Sequence, residues 1–113
     1  MLFIVSPSTA QQKLTEFKPT VVSLDSNFSA LDIGFPFINK DNNIEMKYIS
    51  FIDLSIKSDS HNFVIENIEA LSGVTQHALF SVLIQEDIKS NIFIVLENTD
   101  LIDQVYLDRM ICI

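Results

Sequence analysis

The clearest pattern in the chain lies between residues 35 and 56. Two apolar-rich arms, 35–38 and 44–56, flank the polar run Asn39-Lys40-Asp41-Asn42-Asn43, which reads as a hairpin. In the second arm Ile44, Met46, Tyr48, Ile52, Leu54 and Ile56 fall on one face, with Glu45, Lys47, Asp53, Ser55 and Lys57 on the other. That period-2 alternation predicts one strand, or two strands with a bulge near Ser50. Residues 2–5 read as a buried strand ended by Ser6-Pro7, and Ser8 with Gln11 as a capping box opening a short helix over 9–17, stopped by Pro19. Val21, Val22 and Leu24 suggest a second short strand, followed by an irregular connection or single helical turn over 25–34.

The second half is apolar in blocks. Residues 58–62 read as a loop and 63–68 as a strand, while 69–77, broken by Gly73, are ambiguous. Residues 78–85 are nearly all apolar, so periodicity does not separate strand from helix there. The polar turn at 86–90 and the apolar run 91–97 favour a pair of strands. From Asp100 to Met110, Leu101, Ile102, Val105 and Met110 recur at helical spacing, with Asp100 and Asp103 suited to the start of a helix dipole and Arg109 to its end. Residues 105–113 as an edge strand are the alternative. The elements sum to a single α+β domain over 1–113, with a mainly antiparallel sheet of about five to seven strands and two or three short helices.

Composition adds a core and a charge. The chain has 113 residues, 48% of them hydrophobic, enough to bury a core without metal or disulfide staples. Cys112 is the only cysteine, which excludes an internal disulfide and suits a reducing cytoplasm. No apolar run approaches the roughly 18 residues that cross a membrane. Fifteen acidic side chains against seven basic ones give a net charge of −8, a field that repels phosphate backbones and speeds association with a basic partner. Half of that imbalance follows Gln85, where six acids (Glu86, Asp87, Glu97, Asp100, Asp103 and Asp108) face only Lys89 and Arg109.

Catalytic and cofactor patterns do not assemble. Gly34 and Gly73 are the only glycines, too few and too far apart for a phosphate cradle. Asp59 and His61 could sit on one side of an extended loop, with His77 or Glu66 as further metal ligands, but the spacing reads better as a solvated loop. The run 39–43 starts like a calcium loop and then lacks glycine at the sixth position and glutamate at the twelfth; it is a turn. Cys112, between two isoleucines, reads as a small buried hydrophobe, and His77 as a boundary histidine. Phe35, Phe37, Tyr48, Phe51 and Phe63 could form an aromatic contact, with core packing the better reading for most of them. No metal, cofactor or catalytic group is nominated.

The stretches ISFIDLSIKSDS and EDIKSNIFIVLENTDLIDQVYLDRM resemble the closing region of bacterial immunity proteins that protect cells from their own polymorphic toxins. Asp53, Ser60, Ile92 and Phe93 carry the resemblance, which spans about half the chain. It implies a cytoplasmic, non-enzymatic inhibitor that neutralises a basic, nuclease-like toxin domain by occluding its active site. Glu86, Asp87, Glu97, Asp100, Asp103 and Asp108 would be the partner-binding carboxylates, with no membrane or direct nucleic-acid contact. The alternative is a structural or assembly subunit, of phage or secretion-system type, that self-associates through sheet edges as a homodimer. A third class is a small enzyme using carboxylates with His61 or His77.

Overall fold

The computed structural model describes residues 1–113, the side chain of Leu101 excepted; the apolar role expected of that side chain lies outside the described residues. Strand β1 (Leu2–Val5) opens the chain. Ser6 then caps a short helix α1 (Pro7–Thr9), its hydroxyl accepting the Thr9 N–H at 3.2 Å, so the cap is Ser6 and not Ser8. The coil widens into π-type turns over Ala10–Leu14 and tightens at Thr15–Phe17, ending where Lys18 turns left-handed before Pro19. Strand β2 (Thr20–Ser23) and a one-turn helix α2 (Ala30–Ile33) follow.

Strands β3 (Gly34–Ile38) and β4 (Ile44–Tyr48) form the expected hairpin. The Asn39 side chain accepts the N–H groups of Asp41 and Asn43, and Asn42 takes a left-handed conformation that asparagine tolerates. The strand does not continue to Ile56. Residues Ser50–Lys57 are a helix, α3, which buries Ile52 and Ser55 and leaves Leu54 40% exposed. That spacing is helical, and the alternation read there is overturned. Lys57 and Asp53, one turn apart, form a 3.0 Å ion pair. Buried Ser55 satisfies its hydroxyl on the Ile52 carbonyl, and its own carbonyl accepts the Lys89 and Ser90 N–H groups.

Strand β5 (Asn62–Glu66), helix α4 (Gly73–Gln85) and strand β6 (Asn91–Val95) make a βαβ unit. The run 78–85 is therefore helix, not strand. Ser72 caps it through the Thr75 N–H. Its apolar residues show no helical stripe because the sheet takes one side while α2 and helix α5 (Gln104–Leu107) take others. Strand β7 (Ile111–Cys112) closes the sheet as an edge, so the last segment holds both a short helix and an edge strand.

The five-stranded sheet has the order β2-β5-β6-β1-β7 and every pairing in it is parallel. Helix and strand both occur as expected, but the mainly antiparallel sheet does not; among the described residues the only antiparallel pair is β3–β4. The helix over 78–85 and the parallel sheet go together. Had 78–85 been a strand, it would have turned back on 91–97. As a crossover helix it carries the chain over the sheet and lays β6 parallel to β5. The strand sequences carry the matching sign. LFIV, FVI and IFIV are continuous apolar runs of strands buried on both faces.

Those two faces are packed unequally. Leu2, Ile4, Phe63, Ile65, Ile92 and Ile94 meet Ile33, Ile52, Leu79, Phe80, Leu83 and Tyr106 in the larger core. The opposite face holds a small cluster of Val5, Leu14, Val64 and Phe93, roofed by the single coil of residues 7–17.

Gly34 starts β3 because of a close approach. A Cβ there would stand 2.7 Å from Tyr48 Cδ1 and 2.9 Å from the Lys47 carbonyl oxygen, whereas one on Gly73 would meet nothing within 4 Å. Gly34→Ala is expected to destabilise the fold by about 1–3 kcal/mol. Gly73→Ala, at a helix start, should be neutral or stabilising by up to about 1 kcal/mol. Urea unfolding of both variants checks the contrast.

Candidate protein-docking surface

In open parallel sheets, ligands bind at the carboxyl ends of the strands where neighbouring connections leave to opposite faces. Here that place lies between β1, whose chain departs over the smaller cluster, and β6, whose chain departs over the larger core. A phosphate-binding loop belongs at the β1–α1 junction. A pattern G-x-x-x-x-G-K-[ST] set with its lysine on Lys13 would need glycines where Pro7 and Gln12 stand and a hydroxyl where Leu14 is buried. The Thr9 N–H is already taken by the Ser6 cap. Glu66 ends β5 and Glu97 follows β6, so the nearby charge is negative as well. This crevice is not built for a phosphate.

The six carboxylates nominated from sequence do not form one surface. Glu86 caps the end of α4 and Asp87 follows it, ahead of β6, while Glu97 and Asp100 lie beyond it. The five residues of β6 separate the two groups by about 17 Å. Asp100 and Asp103 do not share the first turns of one helix. Asp100 sits in a 3-10 turn (Thr99–Leu101), whereas Asp103 caps α5 by accepting the Val105 N–H. Asp108, at the other end of α5, accepts the Gln104 amide at 2.7 Å. Glu86 is also engaged: it accepts the Tyr48 hydroxyl at 2.5 Å. Asp87, Glu97 and Asp100 are exposed. Among the described residues the only ion pair is Lys57–Asp53, so none of the six carboxylates has a cation within the chain.

The titratable side chains set aside from sequence have local partners. His61 meets Ser58 at 3.1 Å and stacks on Phe63, while His77 bonds the Tyr106 hydroxyl, which also meets Ser81 at 3.2 Å. No group of three or more candidate metal ligands occurs among the described residues. Cys112 is exposed in the edge strand β7, not buried as its flanking isoleucines suggested.

The exposure of the hairpin's apolar side chains is what the sequence did not reveal. Phe63 is buried and Phe51 and Tyr48 are half-buried, as core packing requires, but Phe35 and Phe37 are exposed. Ile38 is 70% exposed, Ile44 77% and Met46 48%. Isolated exposed apolar residues are ordinary; a contiguous group on one projecting element marks an interaction site. The cross-strand pairs Phe35–Lys47 and Phe37–Glu45 line one face, and Pro36–Met46 and Ile38–Ile44 the other. A two-stranded ribbon has no second layer with which to bury either face. The available signal was the unbroken Phe35-Pro36-Phe37-Ile38 run in a strand with one neighbour.

The ribbon's edges differ. The Asn39 N–H to Asn43 carbonyl bond closes the loop, so antiparallel alternation makes Phe37–Glu45 and Phe35–Lys47 the hydrogen-bonded pairs. Pro36 then stands where its N–H would have pointed outward, and it blunts the outer edge of β3. On β4 the groups pointing outward belong to Ile44, Met46 and Tyr48. No protein-family model matches this chain, and no curated protein matches it in sequence.

Tyr48 anchors the ribbon's root to α4. Burial, then the hydrogen bond to Glu86, then the Glu86 charge push its hydroxyl up to about 12 from an ordinary value near 10. The neutral form is favoured in the folded chain, so this stabilisation is complete below pH 10 and lost as pH rises towards 12. Urea unfolding across that range should show a loss that Tyr48→Phe abolishes and Glu86→Gln reduces.

Proposed function

We propose that this chain works by protein–protein contact as a subunit of an assembly, with the β3–β4 hairpin as its docking element and no reaction of its own. The observation that carries the reading is the set of five exposed apolar side chains, Phe35, Phe37, Ile38, Ile44 and Met46, on one projecting ribbon. The non-enzymatic part rests on residue chemistry. The strand ends that carry ligands in parallel sheets hold Pro7, Gln12 and carboxylates in place of glycines, a hydroxyl and cations.

Chemical cross-linking through Lys40 and Lys47, read by mass spectrometry in the source cells, tests it. Links from these lysines to another chain are expected, and Ile38→Asp with Ile44→Asp should remove them. Ile38 and Ile44 are exposed but stand directly opposite each other, so the two carboxylates together should cost about 1–2 kcal/mol, and circular dichroism shows that the variant is folded. Links formed only within single copies, with no linked species larger than one chain, would sink the proposal.

The second reading is an inhibitor of a basic partner, of the toxin-immunity kind, in the cytoplasm. Its support is the exposed pair Glu97 and Asp100 beyond β6, with no ion-pair partner for either among the described residues. Glu97→Lys with Asp100→Lys should slow association with a basic neighbouring gene product by about tenfold or more and weaken its salt dependence. Unchanged kinetics would end this reading.

A further inference from the structure

Resting on the assembly-subunit reading, we infer that the partner of the β4 edge is a second copy of this chain, joined antiparallel about a two-fold axis through Met46. Three observations converge. Pro36 closes the outer edge of β3, which leaves β4 as the ribbon's open side. Ile44 is 77% exposed and Met46 48%, both on the open side of the ribbon, and an open cleft of 410 Å³ lies between β4 and α3. The hairpin's charges are Lys40, Asp41, Glu45 and Lys47, which cancel, so the net charge of −8 elsewhere on the chain is not concentrated at this contact.

The decisive feature is the order of charges along the strand. Outward backbone groups sit on Ile44, Met46 and Tyr48, so a second β4 can pair only in registers that match these residues to one another. Centred on Met46, the pairing sets Ile44 against Tyr48 of the other copy and Met46 against its equivalent. It also sets Glu45 against Lys47 on both sides of the axis. A shift one way places Glu45 opposite Glu45, and a shift the other way places Lys47 opposite Lys47. Opposite charges directly across two strands stabilise, and like charges destabilise. The strand therefore selects one register with its own copy, and in that register every outward backbone group of β4 is paired. Strand addition to an exposed edge supplies the affinity through main-chain hydrogen bonds, and the charge pattern supplies the identity of the partner. The apolar side chains of Ile44, Met46 and Tyr48 then form one continuous face across four strands.

Sedimentation equilibrium of the full chain over a wide concentration range tests the inference, with circular dichroism to show that each variant is folded. The wild type should dimerise. Lys47→Glu sets Glu45 against a new glutamate twice, and Glu45→Lys sets two lysines together twice. Each alone should raise the dimer dissociation constant by roughly tenfold or more. Mixed in equal amounts, the two variants have complementary strands and should associate about as tightly as wild type. A monomeric wild type overturns the inference, as does a mixture no tighter than either variant by itself. If the Ile38→Asp/Ile44→Asp chain loses a cross-linked partner that the Lys47→Glu chain keeps, the ribbon docks a different protein. The dimer is then wrong while the assembly reading stands. If neither variant changes any association, both fall.

Discussion

A strand followed by a parallel neighbour has to be reached by carrying the chain back over the sheet, and in this protein the helix Gly73–Gln85 does that for the adjacent strands β5 and β6. It gives the larger core Leu79, Phe80 and Leu83, receives α2 on one flank and holds Tyr106 of α5 through His77 and Ser81. At its end Glu86 takes the Tyr48 hydroxyl and steadies the root of the hairpin. Placement of β6, orientation of the ribbon and seating of the last helix thus all depend on one crossover.

How far the sequence could be read follows from how each segment is surrounded. Strand β1 and the cores of β2, β5 and β6 were legible, because short apolar runs bounded by polar turns have few other uses. The hairpin was legible because asparagine chemistry marks its turn. Helix α4 was not, since a helix with neighbours on several sides has no polar stripe to reveal its period. Alternation from Ile52 to Ile56 misled for a different reason. Ser55 is the buried residue and Leu54 the exposed one, an inversion possible only because the Ser55 hydroxyl finds a carbonyl within its own helix. With those two segments read as strands, a parallel sheet could not be deduced.

The candidate site was legible in part. Acidity after Gln85 is a property of composition, but whether acids converge is a property of topology, and β6 runs between the two groups. Two of the six also cap or brace α5, which a local hydrogen-bonding reading of aspartate would anticipate. The exposed apolar ribbon needed the strand order itself, because only the absence of a third neighbour makes residues 35–38 surface and not core.

The position of β1 has a consequence for how the protein comes into being. Leu2 pairs with Ile92 and Phe3 with Ile111, so β1 is made roughly 90 residues or more before either of its neighbours. At translation rates of about 5–20 residues per second, it waits roughly 5–20 seconds for a partner. Through that interval LFIV is an unpaired apolar segment on a nascent chain, with β2, the hairpin and β5 emerging beside it. The fold thus closes late and from its middle. Guarding the newborn first strand, by chaperone or by the coil of residues 7–17, becomes a requirement of its biosynthesis.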